Sequence, residues 1–117
     1  MKKVGIIGYG RFGRVLDDLL SKKYQVLITD INKDIKEEVK FSSLDEILEC
    51  FLVFLAVPIR SIESAVEEIA QYKLYNTTIV DVCSVKVYPV EIMEKYLPRH
   101  VGIIASHPHF GPDSYSP

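Results

Sequence analysis

The chain of 117 residues is short of most things that would place it outside an ordinary globular class. It has two cysteines, Cys50 and Cys83, which follow no metal-ligand spacing and are too few for a disulfide scaffold. A reducing cytoplasm is the expected setting. It lacks a surplus of charge: 14 Lys and Arg against 16 Asp and Glu leave −2, so no basic field is present to attract nucleic acid or anionic lipid. It lacks any stretch approaching the roughly 18 apolar residues of a membrane span. The apolar start, Val4 to Gly8, is cut short by Arg11 and Arg14, and no small-residue cleavage site follows, which argues against a signal peptide. Internal repeats, low-complexity segments and linkers are also lacking. Three histidines, with only His107 and His109 close together, offer no third or fourth ligand for a metal.

What is present is a core. Hydrophobic residues make up 48% of the chain and charged residues 26%, enough to fill one domain and cover it. Two periods alternate along it. Val4–Ile7 is a short apolar run, and Phe12, Val15, Leu16, Leu19 and Leu20 then recur on one helical face. Gln25–Thr29 reads as a second strand. Ser43 and Glu46 have the spacing of a capping box and open a short helix through Glu49. Phe51–Val57, stopped by Pro58, reads as a strand buried on both faces. Ile59, Ile62, Ala65, Val66, Ile69 and Ala70 make the next amphipathic helix. Thr78–Cys83 is a strand, Pro89 falls in the first turn of the helix after it, and that helix stops before Pro98. Val101–Ala105 is the last strand. Regular strand and helix alternation predicts an α/β fold, a doubly wound parallel sheet with right-handed crossovers.

In such a sheet ligands bind at the carboxyl edge. Gly8-Tyr9-Gly10-Arg11-Phe12-Gly13 is a G-x-G-x-x-G pattern in the context it requires, after a strand and opening a helix. Gly8 allows the tight turn, Gly10 lets backbone N–H groups near a pyrophosphate, and Gly13 lets helix and strand close up. Gly8, Gly10, Arg11, Phe12 and Gly13 are therefore candidate cofactor contacts. Asp30 stands seventeen residues beyond Gly13, at the end of the second strand. A carboxylate there accepts the ribose hydroxyls of an adenosine and repels a 2′-phosphate, which favours NAD over NADP. Lys33 lies near enough to soften that exclusion, and the lesser alternative is that Asp30 caps a helix or turn. Ala56, Val57 and Pro58 end the middle strand beside the glycine turn and are placed to shape a ribose pocket, although Pro58 could simply terminate the strand.

Asp81-Val82-Cys83-Ser84-Val85-Lys86 and Ala105-Ser106-His107-Pro108 leave the same edge from the last two strands. Ser84 supplies a hydroxyl donor and acceptor. His107 has an unperturbed pKa near neutrality, suited to taking a proton. Each also has a plain reading, Ser84 as a helix N-cap and His107 as a loop residue. Their convergence with the glycine turn on one edge makes them the candidate catalytic pair, and Ser84 a candidate cofactor contact as well. His100, after Arg99, reads as a surface residue. Cys50 and Cys83 read as small core residues rather than nucleophiles, and the charges between Lys33 and Lys40 as a solvated face.

The segments GIIGYGRFG, DVCSVK and SHPHFGPDS, in this order, resemble the prephenate and arogenate dehydrogenases of tyrosine biosynthesis. The resemblance runs over essentially the whole chain and implies NAD-dependent oxidative decarboxylation of prephenate or arogenate. It implies that His107 accepts the proton of the ring hydroxyl and that Ser84 hydrogen-bonds that hydroxyl and the nicotinamide region. It also implies an acidic residue, Asp113, near the substrate mouth. His109 departs from the family pattern, which more often has an apolar residue there. Family members continue into a helical second domain that makes a homodimer. This length is therefore expected to be the cofactor-binding half, residues 1–117 of a longer dehydrogenase or a shortened natural form of one, with little or no turnover alone and an apolar face exposed where helices would lie. The rival of another class is a regulatory nucleotide-binding module like those gating potassium transport, which shares the glycine turn and Asp30. A β-hydroxyacid dehydrogenase or imine reductase shares the first half only.

Overall fold

A computed structural model describes residues 2–30, 41–74, 76–82 and 87–105 of the chain. Five strands form one sheet: β1 (Lys3–Ile7), β2 (Gln25–Thr29), β3 (Leu52–Leu55), β4 (Thr78–Asp81) and β5 (Gly102–Ala105). All pair in parallel, in the order β2-β1-β3-β4-β5. The direction of winding reverses between β1 and β3, which creates a crevice at the carboxyl edge of the sheet. Among the described residues, α1 (Arg11–Leu20), α2 (Leu44–Ile47), α3 (Ile62–Ala70) and α4 (Val87–Tyr96) lie between the strands.

Register decides which side chains share a face. Ile7, Leu55 and Asp81 are aligned across β1, β3 and β4, and with Val53 and Ile79 they lie on the side covered by α2, α3 and α4. Here the main core sits, with Val53, Leu55, Ile62, Val66, Ile79 and Met93 fully enclosed. Burying an aliphatic side chain of this size stabilises by about 1.5–3 kcal/mol, so this layer dominates the hydrophobic contribution. The opposite side carries Val4, Ile6 and Ile28 under α1, which packs on β1 and β2. Further along that side the cover thins. In one register row Phe54 is half-buried and Ile104 is 49% exposed.

Local signals explain most boundaries. Ser43 caps α2: its Oγ accepts the Glu46 N–H, and the Glu46 carboxylate accepts the Ser43 N–H, the reciprocal box read from the sequence. Pro89 lies in the first turn of α4, where the missing N–H costs nothing. Two expectations need correction. The middle strand is Leu52–Leu55, shorter than Phe51–Val57, and it is not buried on both faces: Val53 and Leu55 are enclosed, whereas Leu52 and Phe54 on the other face are only half-buried. Ile59 belongs to a 3-10 turn, Ile59–Ser61, and is 41% exposed rather than part of the α3 apolar face. Pro58, held extended at φ −59° and ψ 153°, ends the strand and starts that turn.

Candidate functional site

The glycine turn follows β1 directly at the crevice. Gly8 has φ +111°, a conformation side chains rarely adopt, and a Cβ there would lie 2.4 Å from the Ala56 carbonyl oxygen. Its N–H donates to the Thr29 carbonyl at 2.8 Å, and the Ala56 N–H donates to the Ile7 carbonyl at 2.8 Å. The turn is thus stitched to strands on both sides. A Cβ on Gly13 would stand 2.0 Å from the Gly8 carbonyl oxygen, so α1 can approach β1 this closely only with glycine. Gly10 is different: nothing lies within 4 Å of its missing Cβ. It opens on empty space at the N-cap of α1.

That helix start is fitted to an anion. No side chain caps Gly10, and the first turn carries no acidic residue. The N–H groups of the first turn, which lack partners within the helix, therefore face the crevice with the positive end of the helix dipole. A groove of about 640 Å³ runs past them, lined by Gly8, Gly10, Arg11, Phe12 and Asp30 on one side. Ala56, Val57, Pro58, Arg60 and Ser61 line it from β3 and the turn beyond.

Asp30 follows the last residue of β2 and is 7% exposed. One carboxylate oxygen accepts the backbone N–H of Tyr9 at 2.5 Å, so the residue braces the glycine turn while lining the groove. The turn reading and the ligand reading of Asp30 are therefore compatible. Asp30 also borders a second cavity of about 310 Å³ between α2 and α3, with Ser42, Glu68 and Tyr72 in its wall. Tyr9 is itself packed. Its hydroxyl donates to Asp17 at 3.1 Å, the Arg14 guanidinium lies 4.8 Å from its ring centre, and Phe41 meets it edge-on.

The structure brings Gly8, Gly10, Arg11, Phe12, Asp30, Ala56, Val57 and Pro58 to one groove, with Gly13 locking the helix behind it. Ser84, His107 and Asp113 lie outside the described residues. The strands before the first two end side by side, at Asp81 and Ala105, one and two strands from β3. His100 is exposed, as expected, and its Nε2 hydrogen-bonds the Leu74 carbonyl at 2.7 Å. Cys50 is buried, and burial pushes its thiol pKa up, away from nucleophile chemistry. Sequence reasoning passed over Arg60 and Ser61. The available signal was their position, immediately after the strand end that forms the far wall. Among the described residues no helix is long and apolar enough to cross a membrane, and no three His, Cys, Asp or Glu gather as a metal site.

Residues 15–117 match the model of one family, the prephenate dehydrogenase nucleotide-binding domain. The chain belongs to that family. Among individual relatives, the chain is 32% identical over 121 aligned positions to arogenate dehydrogenase 1, chloroplastic, of Arabidopsis thaliana, covering 96% of this chain and 19% of the relative. Among solved structures, the prephenate dehydrogenase of A. aeolicus in complex with hydroxyphenyl propionate and NAD+ superposes with a TM-score of 0.71 at 22% identity, covering 93% of this chain and 42% of the other. An imine reductase of Bacillus cereus gives the same TM-score at 19% identity, covering 97% and 43%. At those identities the two structures speak for the fold, a Rossmann-type nucleotide-binding sheet. The family match favours the dehydrogenase reading over the potassium-transport one. The chain spans less than half the length of each of these relatives.

Proposed function

We propose that this chain is the cofactor-binding half of an NAD-dependent dehydrogenase that oxidatively decarboxylates prephenate or arogenate on the route to tyrosine. The observation that carries the reading is the glycine turn. Gly8, Gly10 and Gly13 sit at the reversal of the sheet, with open space at Gly10 and the Asp30 carboxylate beside it. The α1 N-terminus would hold the diphosphate, and Asp30 would accept ribose hydroxyls and disfavour a 2′-phosphate, hence NAD over NADP. Ala56, Val57 and Pro58 would shape the wall against the nicotinamide ribose. A dinucleotide held by these residues would supply the acceptor for a hydride from the ring carbon that bears the hydroxyl.

The chain's own chemistry then falls to two residues carried over from the family resemblance. His107 takes the hydroxyl proton as the ring carbon is oxidised. Ser84 hydrogen-bonds that hydroxyl and holds the reacting carbons in line. Carbon dioxide leaves and the ring becomes aromatic. Asp113 would stand at the substrate mouth. The family resemblance further implies a second domain completing the substrate site, a homodimer, and weak turnover by residues 1–117 alone.

A histidine-ring NMR titration tests the reading, adding NAD and then prephenate or arogenate. The expected result is a His107 resonance that moves with NAD and changes its apparent pKa with substrate. Binding of NAD with no histidine responding to either substrate would remove the catalytic assignment. Failure to bind NAD would remove the cofactor assignment too.

A further inference from the structure

Across the groove from α1 stands a cation that the glycine motif does not include. Pro58 ends the β3 side of the groove, and the 3-10 turn after it places Arg60 in the lining. Arg60 is exposed, and among the described residues its side chain makes no hydrogen bond or ion pair. It also precedes Ser61, the N-cap of α3, so it occupies the end of a helix where the dipole disfavours positive charge. Among the described residues no ion pair accounts for an arginine here. An anion in the groove would, since it would face α1's first-turn N–H groups on one side and Arg60 on the other. The acidic side chain in the groove lining, Asp30, is mostly enclosed and turned toward the Tyr9 N–H.

We infer that Arg60 is a ligand for the diphosphate of the bound dinucleotide, gripping it from the β3 side opposite the α1 N-terminus. The inference rests on the proposed cofactor site and adds a residue to it. The planar guanidinium can offer two parallel N–H donors to phosphate oxygens, which a lysine offers only as a point charge. The contact is charge-assisted at the mouth of an open groove, so its effect should be plain and salt-dependent.

The test compares wild type with Arg60→Gln and Arg60→Lys, using Arg99→Gln as a control of equal charge loss. Arg99 is exposed just before β5, at the amino edge of the sheet. Calorimetric titration with NAD and ADP-ribose should show about tenfold weaker binding in Arg60→Gln and a smaller loss in Arg60→Lys. Arg99→Gln should match wild type, and adenosine should bind all four alike. A second measurement, the phosphorus NMR shift of inorganic diphosphate, should respond to wild type and much less to Arg60→Gln. Equal NAD affinity in wild type and Arg60→Gln would overturn the inference while leaving the cofactor reading intact. A loss confined to NADP would also overturn it, by assigning Arg60 to a 2′-phosphate. Diphosphate binding that depends on Arg60, without NAD binding, would instead overturn the cofactor reading. Failure of wild type to bind either ligand would overturn both.

Discussion

The carboxylate of Asp30 and the backbone N–H of Tyr9 are joined by a hydrogen bond that spans twenty-one residues and ties the end of β2 to the glycine turn after β1. One side chain thereby sets both the shape of the turn and the charge beside it. The two roles separate by substitution. Asp30→Ala removes the acceptor from an enclosed N–H and should cost about 2 kcal/mol, read as a lower urea midpoint. Asp30→Asn keeps an acceptor oxygen and should be much closer to wild type in stability. It removes the repulsion of a 2′-phosphate, so its affinity for NADP relative to NAD should rise about tenfold or more, checked by fluorescence titration with both.

Gly10 and Gly13 should respond in opposite ways to the same methyl group. Gly13→Ala places a Cβ at 2.0 Å from the Gly8 carbonyl oxygen and must push α1 off the sheet. About 3 kcal/mol or more of stability should be lost. Gly10 has φ −83° and ψ −154°, open to alanine, and free space around its Cβ position. Gly10→Ala should fold as well as wild type, or better by about 0.5 kcal/mol through a less flexible unfolded chain. Its NAD affinity should nonetheless fall at least tenfold, because the methyl takes the space of a phosphate oxygen. Thermal melts and NAD titrations of the pair separate the two effects.

Tyr96 gives the fold a sensitivity to alkali. Glu67 and Glu63 hold its phenol protonated through hydrogen bonds, the one to Glu63 at 2.8 Å, and push its pKa well above the usual 10. The unfolded chain ionises this phenol near pH 10 while the folded chain still keeps the proton. Stability is therefore complete below about pH 10 and declines as pH rises from there toward the folded value. Urea melts at pH 9 and pH 11 should show a larger decrease for wild type than for Tyr96→Phe. Equal decreases would place the alkaline loss elsewhere.

Cys50 should report opening of the core. The residue is 3% exposed and its Sγ lies 3.8 Å from the Glu46 carbonyl oxygen. Burial raises its pKa above the ordinary 9, so little thiolate forms at neutral pH. In a Cys83→Ser background, labelling of Cys50 by iodoacetamide should be slow in buffer and accelerate with urea alongside loss of helical circular dichroism. Fast labelling in buffer would mean that α2 opens locally.

Much of the fold was legible because its signals are local. Alternating periods marked every strand, Ser43 and Glu46 marked the α2 cap, and the spacing of Gly8, Gly10 and Gly13 marked the turn. The errors arose where tertiary cover, not local pattern, decided. Phe51–Val57 looks uniformly apolar, yet only alternate residues, Val53 and Leu55, are enclosed in the main core, and Leu52 and Phe54 on the other face are half-buried. Ile59 keeps helical spacing with Ile62 but sits in the turn that Pro58 imposes. The Asp30–Tyr9 bond and the place of Arg60 in the groove wall come from strand order, which brings β3 beside β1 although nearly fifty residues separate them. No nearby sequence pattern encodes that adjacency.

The double stitching of the glycine turn has a kinetic consequence. Gly8 is bonded to β2 and Ala56 to β1, so the floor of the groove is an extension of the sheet rather than a loop awaiting a ligand. Shaping that floor is therefore a cost of folding, and little reorganisation remains for the moment of encounter. Nucleotide association at the floor should behave as a simple collision, its observed rate rising in proportion to ligand concentration without reaching a plateau.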